Sequence, residues 1–217
     1  MRPEVARVVY PVLNYGLKLK ERREQGQEPD LDAEQAVLKG LLNADEGRQI
    51  PEYWGDAGQD RAGEDAFLGI RYALTCWLDE ILIDKSPWGV QFDNRKLEWS
   101  LFRSQDRGWK FRPQAAKADA RQSVDAVEAF MLCIMLGFRG DWLENREDLQ
   151  AWINASQTRV ARSQQEQWPA PPGLPVPLTN VPPLRGWERF QNMRRWRSMV
   201  GLLALLIWTI AGISLLR

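Results

Sequence analysis

The sequence predicts an all-α protein, on three observations. Apolar residues recur at three- and four-residue spacing through most of the first 167 positions. No stretch alternates apolar and polar residues with the period of a strand. The chain also carries an uncharged apolar run, Met199 to Leu216, of the length and composition that suit one membrane helix.

The first helix is expected from about Pro3 to Arg23, with Val5, Val8, Val9, Val12, Leu13, Leu17 and Leu19 as an apolar stripe interrupted near Pro11. Asp32 then caps a second helix, Ala33 to Asp45, whose Ala36, Val37, Gly40, Leu41 and Ala44 share a face. A polar loop follows from Trp54 to Gly63. The strongest soluble pattern runs from Glu64 to Asp84, where Phe67, Ile70, Leu74, Trp77, Leu78, Ile81 and Leu82 make one broad apolar face. Glu64 and Asp65 suit the positive end of that helix.

Ser86, Pro87 and Gly89 stop it, and an aromatic stretch without clear periodicity leads through Trp88, Phe92, Trp99, Leu101, Phe102, Trp109 and Phe111. A stretch this aromatic packs, in part as a short helix around Lys96 to Arg103, or forms a surface for a partner. A long helical pattern returns from Ala115 to Gly137, and its second half, Ala126 to Phe138, reads as the most buried helix of the core. Gly137 or Gly140 supplies the left-handed residue that ends it. A last soluble helix runs from Asn145 to about Gln167, with Leu149, Trp152, Ile153 and Val160 inward.

Composition then changes. Seven of the thirteen prolines fall between Pro169 and Pro183, which marks a semi-rigid spacer with polyproline character. A PxxP ligand for an SH3-like domain is the sharper alternative for that segment. The expected organisation is a helical domain over 1–167, a proline-rich linker over 168–188, and a basic juxtamembrane segment with its anchor over 189–217, the helix itself spanning about 199–216.

Arg185, Arg189, Arg194, Arg195 and Arg197 precede the apolar run against the single acid Glu188, whereas only Arg217 follows it. The positive-inside rule therefore places the amino-terminal domain in the cytoplasm. Arg194, Arg195 and Arg197 orient the anchor, and Trp196 and Trp208 complete the candidate membrane-contact set. The early stretch Val8 to Leu13 is too short and too interrupted for a signal peptide.

The chain has 29 basic and 29 acidic residues, so nothing pulls it as a whole toward nucleic acid. It has no histidine, which removes Ser/His and Cys/His nucleophile pairs and the usual zinc sets. Cys76 and Cys133 lie in apolar helical surroundings and read as packing thiols of a reducing compartment. Neither a Walker loop nor a GxGxxG turn is present. The expectation is a non-enzymatic protein without metal or cofactor.

Two segments carry a family resemblance. The helix RYALTCWLDEILID, Arg71 to Asp84, is followed by Pro87, Trp88 and Gly89, and the later run MLCIMLGFRGDW, Met131 to Trp142, closes on Leu136, Gly137, Phe138 and Gly140. This order, with Leu78, Asp79 and Glu80 as a Leu-Asp-Glu motif and a carboxy-terminal anchor, resembles the DotU/TssL family over nearly the whole chain. The chain differs from many members in having Arg107, Gly108 and Trp109 before Phe111, and Asp141 and Trp142 after Gly140.

The resemblance implies two three-helix bundles in a hook shape, fixed to the bacterial inner membrane by one helix. It also implies a structural subunit of the type VI secretion membrane complex, joining a TssM/IcmF-like membrane protein to a TssK-like baseplate protein; a related member serves in type IVB secretion. No peptidoglycan-binding domain is expected beyond the anchor. Self-association is expected through small residues of the anchor such as Gly201, Ala204, Ala211 and Gly212.

Asp79, Glu80 and Asp84 are the first candidates for partner contact, and Trp88, Trp99, Phe102 and Trp109 the next. Adjacent residues on a helix point about 100° apart, so Asp79 and Glu80 cannot work as a catalytic dyad. Two readings stay open for these carboxylates: an internal role, pairing with an arginine or capping another helix, and docking. From other classes, a tail-anchored regulatory adaptor and a membrane-tethered enzyme with converging carboxylates are the alternatives, the last requiring a convergence that the sequence does not show.

Overall fold

The computed structural model describes residues 1–27, 30–56, 66–83, 92–93, 95–143 and 146–167. The proline-rich segment, the arginine collar with Arg194, Arg195, Trp196 and Arg197, and the apolar run with Trp208 lie outside these residues, as do Asp84, Trp88 and the Pro87–Gly89 turn. Every regular element among the described residues is helical.

In chain order these elements are α1 (Pro3–Glu24), α2 (Leu31–Leu42), the single turns α3 (Asp45–Arg48) and α4 (Pro51–Trp54), α5 (Gly69–Ile83), α6 (Leu97–Phe102), α7 (Arg107–Asp119), α8 (Asp125–Met135), a 3-10 turn (Gly140–Leu143) and α9 (Arg146–Gln167). Their buried apolar side chains form one continuous core. The core is organised about α5, which packs against α1, α2, α4, α6, α7 and α8.

Burial identifies α5 as the central helix. Every residue from Gly69 to Asp79 is buried, on all sides of the helix, so the expectation that Ala126 to Phe138 would be the most buried segment is corrected. Within 126–138, Met135 at the end of α8 and Gly137 just after it are exposed. The reason is topological: α8 covers one side of α5, whereas α5 is enclosed by several neighbours.

At Gly16, α1 packs tightly against α5. A Cβ there would lie 2.7 Å from the Trp77 ring and from Leu78 Cδ2, so only glycine allows this packing. Leu17, expected in the stripe, is exposed; Gly16 faces inward instead, and Leu19 is buried as expected.

The buried face of α2 also differs from its apolar pattern. Glu34, Gln35, Leu38 and Leu42 are buried, while Ala36, Val37 and Gly40 face outward. Polar partners make this register possible: Glu34 accepts from the Tyr15 hydroxyl and from Arg22, and Gln35 donates to the Arg95 carbonyl at 2.6 Å. The helix begins at Leu31 with Asp30, not Asp32, as its cap; the Asp30 side chain accepts from the Asp32 N–H.

The expected single helix from Ala115 to Gly137 is two helices. Between them Ser123 accepts from the Asp125 N–H, and Arg2 pairs with the Asp125 carboxylate, which starts a new helix there. At the other end α7 begins eight residues earlier than expected, inside the aromatic stretch. Phe111 thus enters the core, stacked on Phe138 with centroids 4.0 Å apart and 4.9 Å from Phe130.

Candidate functional site

The carboxy-terminal end of α5 makes side-chain hydrogen bonds to two segments distant in sequence. Asp79 is fully buried, and its two oxygens accept the backbone N–H groups of Leu97 and Glu98, each at 2.9 Å. These are the first two helical positions of α6, so Asp79 satisfies donors that would otherwise be orphaned by helix geometry.

Glu98 repeats the operation one step further along. Its side chain, also fully buried, accepts from the Asp106 N–H at 3.1 Å, the Arg107 N–H at 3.2 Å and the Tyr72 hydroxyl at 3.0 Å. Two carboxylates in series therefore fix the starts of α6 and α7. Burial pushes the Asp79 carboxyl up to about 7, against the two backbone donors and the positive charge of Arg107.

Glu80 turns the other way. Its Oε1 accepts the N–H of Arg139 at 2.6 Å and that of Gly140 at 3.4 Å, holding the segment that follows α8. Gly137 ends α8 with φ +118°, its N–H reaching the Ile134 carbonyl and the Phe138 N–H reaching the Cys133 carbonyl, the Schellman arrangement. Trp77 Nε1 donates to the Leu136 carbonyl at 3.4 Å. The Trp77–Leu78–Asp79–Glu80 stretch and the Leu136–Gly140 stretch are thus bonded to each other directly.

A cleft of about 990 Å³ opens beside this junction. Its walls come from the last turns of α1 and α5, the start of α7 and the Leu136–Gly140 segment. Lys20, Arg23, Arg107 and Arg139 line it, with Glu24 and Glu80 as its acids. Arg23 donates to the Ile81 carbonyl at 2.6 Å, and Arg139 to the carbonyls of Ile134 and Phe138 at 2.6 and 2.8 Å. Both guanidinium groups thereby stand at the negative ends of α5 and α8.

Among protein families, the model of the type VI secretion system protein DotU matches this chain over residues 5–216. The chain belongs to the DotU family. Comparison with curated proteins and with solved structures returns no match. DotU membership makes the chain a structural subunit of a secretion system and agrees with the all-helical fold.

For a DotU chain, the predicted contact residues are distributed unevenly. Asp79 is enclosed and fully engaged within the chain, while Glu80 is half-buried on the cleft wall. Phe102 is half-buried, edge-on to Tyr72 at 5.1 Å. Trp99 and Trp109 stand out at 47% and 59% exposure, each with a cation near its ring: Arg103 at 5.8 Å and Lys110 at 5.7 Å. The aromatic stretch therefore divides, with Phe92 and Phe111 in the core and the two tryptophans on the surface.

Sequence reasoning missed Glu98, Lys20, Arg23 and Arg139 as parts of this site. Arg139 lies between the motif residues Phe138 and Gly140, and Glu98 lies in the short helix expected around Lys96 to Arg103; neither carries a signal of its own in the sequence. Among the described residues no cluster of histidine, cysteine or carboxylate side chains can hold a metal ion, and none of the helices is long and apolar enough to cross a membrane. Cys76 and Cys133 are free and buried, and burial pushes the Cys76 thiol well up, which keeps it protonated.

Proposed function

We propose that this DotU-family chain is a tail-anchored subunit of a type VI secretion membrane complex. Its helical domain lies on the cytoplasmic side of the inner membrane and connects a TssM/IcmF-like membrane protein to a TssK-like baseplate protein. The observation that carries this reading is that the family match runs through position 216, taking in the helical domain and the uncharged run 199–216 together. The arginine excess before that run supports the cytoplasmic placement, and its small residues support self-association. Seven prolines between positions 169 and 183 support reading the segment between them as a linker.

The two-bundle organisation belongs to the same reading. Contacts among α1, α2 and α5 support one bundle, and contacts of α8 with α7 and α9 support the other, with α5 against α8 as the joint. Exposed Trp99 and Trp109 support a protein-docking surface on the domain. No catalytic step is assigned.

Affinity purification from solubilised membranes tests the proposal, comparing the intact chain with one truncated before Arg185. The intact chain should recover a large inner-membrane protein and a baseplate protein, and truncation should lose the former. Recovery of neither by the intact chain would overturn the assignment.

A further inference from the structure

Resting on the reading above, we infer that the cleft at the end of α5 receives an acidic segment of a protein partner, with Trp109 as an apolar anchor at its edge. The carboxylates of the Leu-Asp-Glu motif do not present free negative charge for docking. Asp79 is sealed in the core, and Glu80 is bonded to the N–H groups of Arg139 and Gly140. The other acid of the cleft, Glu24, lies 4.0 Å from Lys20.

What the walls offer beyond these pairs is positive. Arg23, Arg107 and Arg139 are half-buried there, and the ion pairs of the described residues include none to any of the three. Arg23 and Arg139 each spend donors on backbone carbonyls, yet a guanidinium has five N–H groups in a planar fork, leaving others for a carboxylate. Three half-buried guanidinium groups in a concave site raise the local potential and select anionic partners.

Apolar surface flanks the charge. Trp109 directly follows the wall residue Gly108, and Met135 directly precedes the wall residue Leu136; both are 59% exposed, more than any other large apolar side chain described. An exposed aromatic beside arginine is the composition of an interface hot spot. The occupant that matches is a short protein segment with carboxylates and an apolar side chain. A planar anionic bilayer meets protruding cations, whereas these are recessed on the walls of a cleft of about 990 Å³.

The test places a photo-cross-linking residue at position 109 of the full chain, in the membrane of secreting cells, and sequences the cross-linked peptides. The expected product is one segment of a secretion-system protein with a surplus of Asp and Glu. Arg107→Glu should lower its yield about tenfold, and reversing the segment's carboxylates to lysine should restore it. Arg107→Ala, which adds no buried charge, should lower the yield in the same direction if Arg107→Glu impairs folding. Cross-links mainly to lipid, or to a basic or uncharged segment, or a yield indifferent to both Arg107 variants, would overturn the inference. Partner recovery by the intact chain in the purification described above is a separate readout, so this inference can fail while the secretion assignment stands.

Discussion

Asp79 Oδ2 accepts the backbone N–H of Glu98 at 2.9 Å, and the Glu98 carboxylate in turn holds the N–H groups of Asp106 and Arg107. The central helix therefore dictates where α6 and α7 start through two buried acids in series. This relation makes the Leu-Asp-Glu motif an organiser of neighbouring segments, since Glu80 does the same for Arg139 and Gly140.

Removing one link should loosen the helices after it. Glu98→Ala leaves the Arg107 N–H and the Tyr72 hydroxyl without the Glu98 acceptor and the Asp106 N–H with only the Ser104 hydroxyl at 3.4 Å, a loss of about 1–3 kcal/mol for each donor that neither water nor another acceptor can reach. Denaturant unfolding of the full chain in detergent should show this loss. Hydrogen exchange should show reduced protection of the first turn of α7 before that of α9.

Asp79 should also impose a pH dependence. Its carboxyl is raised from 3.8 to about 7 by burial, so between about pH 4 and 7 the folded state binds more protons than the unfolded chain. Stability from this group falls as pH rises across that window. Asp79→Asn should flatten the slope between about pH 5 and 7 while lowering stability throughout, because its amide offers one acceptor where two donors converge. Melting curves across this range give the comparison. Asp56 and Asp125 act oppositely: hydrogen bonds from Arg121 and Arg2 and from backbone N–H groups outweigh burial and hold both below their ordinary value. Their contribution is present above about 3.8 and is lost as pH falls further.

Glycines 16 and 40 should respond in opposite directions to alanine. At Gly16 the new methyl meets Trp77 and Leu78 at 2.7 Å, and overpacking costs about 1–3 kcal/mol, more than the helix-propensity gain of about 1 kcal/mol. At Gly40 nothing lies within 4 Å, so the same substitution should stabilise by up to about 1 kcal/mol. The two melting temperatures check both signs.

Trp109 and Phe111 lie on one helix with different duties. Trp109→Ala should change stability by no more than about 0.5 kcal/mol and reduce recovery of the cytoplasmic partner, whereas Phe111→Ala should cost about 3–5 kcal/mol. Thermal unfolding alongside co-purification separates the two effects.

These residues also show what the sequence made legible. The helical class, α1, α9, the apolar face of α5 and the Gly137 stop followed from periodicity and glycine chemistry, but α5 begins at Gly69 and not at Glu64, because the Phe67 and Leu68 N–H groups donate to the Asp56 and Gln114 side chains. The register of α2 did not, because Glu34 and Gln35 are inside, held by Tyr15, Arg22 and Arg95 from distant parts of the chain. The start of α7 was hidden for the same reason: its cap is the Glu98 side chain, not a local residue. For Asp79 and Glu80 the motif marked importance. Only the fold places the first inside the core and the second on a cleft wall where Lys20, Arg23, Arg107 and Arg139 outnumber the other acid, Glu24.

The central claim is that the helical domain works in secretion while tethered to the inner membrane. In a strain lacking this chain, the direct measurement is effector release restored by the intact protein or by a chain ending before Arg185, with the cellular fraction of each recorded. The account predicts release with the intact protein only, and the shortened chain folded but in the soluble fraction. Full release from a soluble, shortened chain would contradict it.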